Sequence, residues 1–300
     1  MPANLFFGTG IPACIIILEK SEASNRKGVF MIDAKSGFMK DGAKNRLREQ
    51  DIRRIVDAWQ KQRDEPHFAR FVPLEEIERN DYNLNIPRYI SAPDTEILQD
   101  IDAHLHGGLP VHDIEQLAAY WQVCPSLRND LFRPHDTRTG YFALNCEPEA
   151  VRDTIMANSD FCRQTEIFYR SYTEWCNRHR ATLYDLTTGF APKRLIEALS
   201  DSRLATFKHD ESLVDAYDVY DCLMNYWSET MQDDCYLIAA NGWKAELYTP
   251  QPTAKKKDAK PKEKKASTPE DVACDLFPVS IAVDEYFAKE KRLISASEEL

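Results

Sequence analysis

The sequence predicts an α/β segment followed by a mostly α-helical domain, and three observations predict it. A continuous β-branched run, residues 11–18 (IPACIIIL), is followed by a second apolar run, residues 28–33 (GVFMID). Over residues 44–63 the apolar Leu47, Ile52, Ile55, Val56 and Trp59 recur at helical spacing on a charged background. From about Asp94, helical segments alternate with Gly107, Gly108, Pro125, Pro134, Gly140, Pro148, Gly189 and Pro192, which punctuate a helical domain.

The first run lacks alternation, which suits a strand covered on both faces. With the polar stretch 19–27 and the second run it reads as a strand hairpin. Residues 44–63 read as one amphipathic helix, 68–72 as a short strand, 73–79 as a helical turn begun by Pro73, and 80–90 (NDYNLNIPRYI) as an Asn-rich loop. Further on, Val151, Ile155, Phe161, Thr165, Phe168, Tyr172 and Trp175 predict a helix over residues 149–180. Leu213, Ala216, Tyr220, Leu223 and Trp227 predict another over 211–231. Residues 249–269 hold seven lysines, four prolines and no large apolar side chain, so burial cannot offset their ordering entropy and they read as a flexible linker. Residues 270–300 form a final segment with one helix near 283–294. The expected domains are thus 1–90, 91–248, the linker 249–269, and 270–300.

At 300 residues, 43% hydrophobic and 29% charged, the chain can bury a core and reads as globular. No stretch nears the ~20 apolar residues of a membrane span, and no basic region precedes the apolar opening, so a cytoplasmic location is expected and no membrane partner. The eight cysteines form no C-x-x-C pair and read as reduced, mostly buried thiols. The net charge of −11 is unevenly divided, at +2 over residues 1–90, −13 over 91–250 and 0 over 251–300. Nucleic-acid affinity depends on local basic patches, so the first segment is compatible with DNA while the acidic middle faces protein or solvent.

Several groups of residues can carry chemistry. The opening, residues 4–13 (NLFFGTGIPA), joins Phe6 and Phe7, whose flat faces suit base stacking, to Gly8, Thr9, Gly10 and Pro12 in a tight turn; a buried Phe pair ahead of a core strand is the plainer reading. In the Asn-rich loop, Asn83, Asn85, Arg88 and Tyr89 suit phosphate or sugar contact, and equally a turn capping a domain. His104, His106 and His112, with Asp102 and Asp113, make a metal cluster conceivable, but no two of these histidines stand at i and i+4 and no H-E-x-x-H pattern occurs, so no metal is expected. No catalytic residue is assigned, since no nucleophile elbow, phosphate loop or catalytic cysteine signature occurs.

Four stretches in order, residues 4–18 (NLFFGTGIPACIIIL), 27–33 (KGVFMID), 45–56 (NRLREQDIRRIV) and 71–89 (FVPLEEIERNDYNLNIPRY), resemble the end of the methyltransferase domain in modification (M) subunits of type I restriction-modification systems. The resemblance implies the last strands and, at residues 12–33, the hairpin of a Rossmann-like, S-adenosylmethionine-dependent methyltransferase domain, acting on adenine N6 in double-stranded DNA. It also implies partners: a specificity (S) subunit, a second M subunit and a restriction (R) subunit. In such enzymes the loop before the hairpin helps hold the flipped adenine, which makes Phe6 or Phe7 the candidate stacking residue. The glycine-rich cofactor motif and the Asn-Pro-Pro-aromatic motif of the family do not occur in these 300 residues. The chain is therefore expected to be a fragment that does not methylate DNA alone, the alternative being a non-catalytic module that binds the S subunit.

Overall fold

The computed structural model describes residues 1–21, 23–92, 99–208, 212–248, 273–276 and 288. The linker expected at 249–269, and the helix expected near 283–294 apart from residue 288, lie outside them. The chain forms two compact units: Met1–Arg178 with Ser200–Asn225, and His179–Leu199 with Tyr226–Leu300.

The first unit opens with an irregular segment, followed by β1 (Gly28–Ile32), β2 (Met39–Asp41), β3 (Lys44–Arg46), α1 (Glu49–Lys61), β4 (Ala69–Pro73) and α2 (Leu74–Arg79). β1 pairs antiparallel with β4, Phe30 opposite Phe71, and the backbone continues this ladder at Leu74 N to Lys27 O and Asp33 N to Phe68 O. The expected hairpin of residues 12–33 is not formed. Residues 11–18 carry no regular structure, and β1 takes a partner forty residues away instead. Gly28 is part of the reason. A Cβ there would lie 2.2 Å from the Val72 carbonyl oxygen, an approach of two backbones that only glycine permits.

β2 and β3 form a tight hairpin whose two-residue loop begins with Gly42 at φ +60, a backbone that favours glycine. Lys44–Arg46 is therefore strand, and the helix expected from residue 44 starts at Glu49. Its first turn is closed by Asp51, whose carboxylate accepts from the Arg48 backbone N–H at 2.9 Å. One core forms where β1 and β4 meet α2 and the loop beyond it: Met31, Val72, Ile77, Tyr89 and Ile90, with Ile86 packed alongside.

Beyond residue 98 the first unit contains α3 (Ile101–His106), β5 (Leu109–Pro110), α4 (Val111–Glu115), α5 (Ala118–Val123), α6 (Pro125–Leu131), β6 (Phe132–Pro134) and β7 (Tyr141–Leu144). The three strands form a small antiparallel sheet, ordered β5-β7-β6, inside a region whose sequence reads as helical. There follow α7 (Val151–Ala157), α8 (Ser159–Tyr184), α9 (Pro192–Phe207) and α10 (Ala216–Tyr226). The single helix expected over 149–180 is divided at Asn158. This residue is extended, and its Oδ1 accepts from the N–H groups of Asp160 and Phe161, capping α8. Its amide donates to Ser126 Oγ and Asp130, anchoring the break to α6.

Two further cores hold this part together. Cys124, Leu127 and Leu131 are packed by Trp121, Phe132, Ile155 and Phe161, and Leu204, Phe207, Ala216, Val219 and Tyr220 by Phe168. The guanidinium of Arg203 lies 4.8 Å from the Trp175 ring centre and 5.4 Å from that of Tyr172, and its Nε donates to the Val219 carbonyl. Burial lowers the pKa of Arg203 from its ordinary value.

In the second unit the helical turn Trp227–Met231 leads into α11 (Gln232–Asn241), and β8 (Leu247–Tyr248) pairs with β9 (Ala273–Cys274). Leu186, Leu195, Leu199, Trp227, Cys235 and Ile238 are buried. The Trp243 indole N–H donates to the Leu186 carbonyl at 2.9 Å. All eight cysteines are free thiols. Only Cys124 and Cys235 are buried, so the expectation of mostly buried thiols is corrected: Cys14, Cys162 and Cys222 are exposed. No helix among the described residues is long and apolar enough to cross a membrane.

Candidate nucleic-acid interface

The opening segment is held against β3 by its backbone. Asn45 N–H donates to Asn4 O at 3.0 Å, Asn45 Nδ2 to Ala3 O at 2.8 Å, and Lys44 Nζ to Phe6 O at 2.9 Å, while Pro2 is fully buried. This strand-like docking leaves the rings free: Phe6 is half exposed and Phe7 is 93% exposed. The Lys44 ammonium stands 5.7 Å from the centre of the Phe7 ring, a cation–π arrangement. Behind the rings the chain turns through Gly8 at φ +80, where a side chain would strain the backbone. Thr9 Oγ1 accepts from Ile11 N–H at 3.1 Å and closes the turn, with Gly10 and Pro12 exposed beyond it. The plainer sequence reading of a buried Phe pair is corrected, because the backbone and not the rings does the docking. Lys44 and Asn45, about forty residues away, were not legible as site residues. Their only sequence signal is the Asp41–Gly42 turn that brings them round.

The second candidate surface is the loop after α2. That helix ends with Asp81 and Tyr82 both at positive φ, and the loop folds back onto its own strand. Arg70 on β4 forms a two-point ion pair with Glu76, at 3.0 and 2.8 Å, and donates to Tyr89 O at 3.1 Å. Tyr89 is 5% exposed, and its hydroxyl donates to Asn83 O at 2.5 Å. Tyr89 therefore belongs to the core and is not placed for DNA contact, a correction whose cause is that Arg70 and the core residues draw the ring inward. Asn83, Asn85 and Arg88 are exposed. Among the described residues no hydrogen bond joins this loop to the Phe7 segment.

A cleft of about 310 Å³ lies between α1 and the neighbouring loops, lined among others by Asp33, Arg48, Arg54, His67, Phe68 and Tyr217. Its cations are already engaged. Arg48 pairs with Asp51 through two bonds of 2.9 Å, and Arg54 pairs with Glu65 while stacking 4.1 Å from the centre of the Phe68 ring. Among the described residues no group of three or more His, Cys, Asp or Glu is placed to hold a metal, and His104 and His112 bond to Gln99 and Gln116.

Below the cleft, α1 is fastened to α10 by charge. Gln50 N–H and Nε2 donate to Asp221 and Asp218, carboxylates that also suit the positive end of α1. Asp57, 3% exposed, accepts from Arg53 at 2.8 Å, Lys61 at 3.1 Å and the Tyr217 hydroxyl at 3.1 Å. Burial pushes the Asp57 carboxyl up, but hydrogen bonds from Lys61 and Arg53 outweigh it and hold the group below its ordinary range. Burial and the Asp57 charge push the Tyr217 hydroxyl well up, so it stays a neutral donor.

Residues 1–97 match the family described as N-6 DNA methylase. Over 106 residues the chain is 39% identical to the type I restriction enzyme MjaVII methylase subunit of Methanocaldococcus jannaschii, covering 34% of this chain and 18% of that protein. Over 104 residues it is 38% identical to the HindI methylase subunit of Haemophilus influenzae, covering 32% and 23%. A crystal structure of the methyltransferase subunit of a type I restriction-modification system from Streptococcus thermophilus is 40% identical, covers 31% of this chain and 19% of that one, and has a TM-score of 0.29. The chain thus spans about a fifth of the length of the relatives it matches, 18% and 23% for the two named. Within that span residues 1–97 match the N-6 DNA methylase family and are similar in sequence to the methylase subunits of type I restriction enzymes.

Proposed function

We propose that this chain works as part of a type I adenine-N6 DNA methyltransferase, with residues 1–97 receiving the target base. The observation that carries the reading is Phe7: a ring 93% exposed, on a segment whose backbone is fixed to β3, with Lys44 beside it. An enzyme that modifies a base must take it out of the duplex and hold it, commonly by stacking on an aromatic face. A fixed backbone with a bare ring meets that need without further rearrangement. Phe7 is the stacking residue in this reading, since the Phe6 carbonyl is tied to Lys44 and its ring is half covered. Asn83, Asn85 and Arg88 serve as contacts to the DNA backbone, and the mildly basic first segment favours that approach.

The methyl donor of this reaction is S-adenosylmethionine, and the residues present do not fit it. A dinucleotide- or adenosine-type ligand is held where a glycine-rich turn joins a strand to a helix. Among the described residues α1 is entered through Arg48, closed by Asp51, and α2 through Pro73. The cleft beside α1 offers cations already neutralised by their partners. In this reading the donor is held outside these residues, and the chain contributes the base side of the site. The helices beyond residue 98 offer the surface for the S subunit, alongside a second M subunit and the R subunit. Exposed Tyr169 and Tyr172 on α8 are the kind of aromatic anchors such contacts use.

The test is methyl transfer from labelled S-adenosylmethionine to DNA by the assembled complex containing this chain. Loss of a stacking platform costs about 1–3 kcal/mol, so Phe7→Ala is expected to lower kcat/KM by roughly 10- to 100-fold, with Phe7→Trp restoring most of it. An unchanged rate for Phe7→Ala refutes the stacking role. Methyl transfer by the purified chain alone refutes the placement of the donor outside it.

A further inference from the structure

Beside the bare Phe7 ring stands a cation that its own hairpin leaves unneutralised. The β2–β3 hairpin, residues 39–46, carries Lys40, Lys44 and Arg46 but a single carboxylate, Asp41. The register sets Asp41 opposite Lys44, the place from which a cross-strand carboxylate would pair with it. Asp41 pairs with Arg46 instead, Oδ2 to Nε at 3.6 Å. Among the described residues no carboxylate stands within ion-pair distance of the Lys44 ammonium.

Docking of the opening segment does not account for that charge. Asn45 already ties the segment to β3 through two bonds, its N–H to Asn4 O at 3.0 Å and Nδ2 to Ala3 O at 2.8 Å. Lys44 adds a third, at 2.9 Å to Phe6 O, which occupies one of its three N–H donors with a neutral acceptor. The ammonium lies 5.7 Å from the Phe7 ring centre, near the outer limit of a cation–π contact, and the ring stays 93% exposed. The carbonyl and the ring hold the side chain in place before a ligand arrives, so binding does not have to order it.

A flat apolar surface with a fixed cation at its side fits a flat ring that carries an anion on a short arm. In DNA that unit is a nucleotide, with its base on the aromatic face and its phosphate one sugar away. We propose that Lys44 binds the phosphate of the nucleotide whose base lies on Phe7, and thereby sets the direction in which that base lies. Stacking alone is tolerant of how a base is turned in its own plane. A second contact at the phosphate removes that freedom, and a group-transfer reaction requires the reacting atom in one place. The inference rests on the reading of Phe7 as the platform for the target base.

The experiment titrates the full 300-residue chain with deoxyadenosine and with its 5′- and 3′-monophosphates, followed by NMR shifts of the Phe7 and Lys44 amides. One monophosphate is expected to bind about three- to tenfold tighter than deoxyadenosine, the range open to one partly exposed charged contact. Lys44→Gln is expected to erase that preference and Lys44→Arg to keep it. Phe7→Leu weakens all the ligands alike and leaves the preference standing. Slow exchange of the Asn45 amide, which donates to Asn4 O, checks that the segment stays docked in Lys44→Gln. The lysine Nζ resonances of the unaltered chain answer the same question without a substitution: the Lys44 signal must move with the monophosphate and stay still with deoxyadenosine. A preference that survives Lys44→Gln, a Lys44 signal that does not move, or an equal loss on Lys40→Gln overturns the proposal, as does failure of every ligand to bind. Methyl transfer by the assembled complex is scored separately. A phosphate preference that depends on Lys44 in a complex that transfers no methyl group refutes the methylase reading and leaves the nucleotide site standing; transfer without that preference does the reverse.

Discussion

Replacing Tyr217 by Phe removes a single oxygen from the contact that fastens α10 to α1. The hydroxyl donates at 3.1 Å to Asp57 Oδ2, an oxygen that also accepts from Lys61 at 3.1 Å, while Oδ1 is held by Arg53 at 2.8 Å. A hydrogen bond to a charged group contributes about 1.5–3 kcal/mol, and because Oδ2 keeps Lys61 the loss belongs at the low end, about 1.5 kcal/mol. For a unit of this size that lowers Tm by about 3–6 °C. Urea denaturation of wild type, Tyr217→Phe, Asp57→Asn and the double variant gives the coupling directly. If the geometry is right, Tyr217→Phe costs little once Asp57 is already Asn. Full additivity of the two changes, or a loss below about 0.5 kcal/mol for Tyr217→Phe, refutes the account. The same cycle carries a pH signature. The folded-state pKa of Asp57 is depressed, so its contribution is complete above the unfolded value of about 3.9 and is lost as pH falls through the folded one. The stability gap between wild type and Asp57→Asn is therefore expected to narrow below about pH 4.

Gly28→Ala tests the strand pairing: a Cβ 2.2 Å from the Val72 carbonyl oxygen must push β1 and β4 apart, at a cost of about 2–3 kcal/mol. Hydrogen exchange at Val29 and Met31 should accelerate, and unchanged protection of these amides contradicts the register. Tyr89→Phe removes the hydroxyl that holds Asn83 and is expected to cost about 1 kcal/mol, with faster exchange confined to the loop after α2. Tyr89→Ala also empties a core position, for about 3–5 kcal/mol in thermal melts. Equal effects from the two changes contradict the placement of the ring in the core.

The sequence by itself determined what is written in local spacing. The apolar residues of α1, the strand character of β1 and β4, Pro73 at the head of α2, and the division of charge between the first ninety residues and the middle are all consequences of neighbours within a few positions. So was the candidate site in part, since two adjacent phenylalanines before Gly8 and Gly10 mark a place where rings and a turn coincide. Tertiary structure decided everything that depends on which distant segments meet. It paired β1 with β4 and not with residues 11–18, because a strand's apolar pattern fixes its faces but not the identity of its neighbour, and Gly28 allows the close approach of Val72. It brought Lys44 and Asn45 under Phe6 and Phe7, turning the expected buried pair into one exposed ring on a fixed backbone. It drew Tyr89 inward, because Arg70 offers the loop carbonyl a donor and Met31, Val72 and Ile77 offer the ring an apolar bed. Hydrophobic periodicity is a property of one segment, whereas the burial of a side chain belongs to two or more segments, and only folding brings those together.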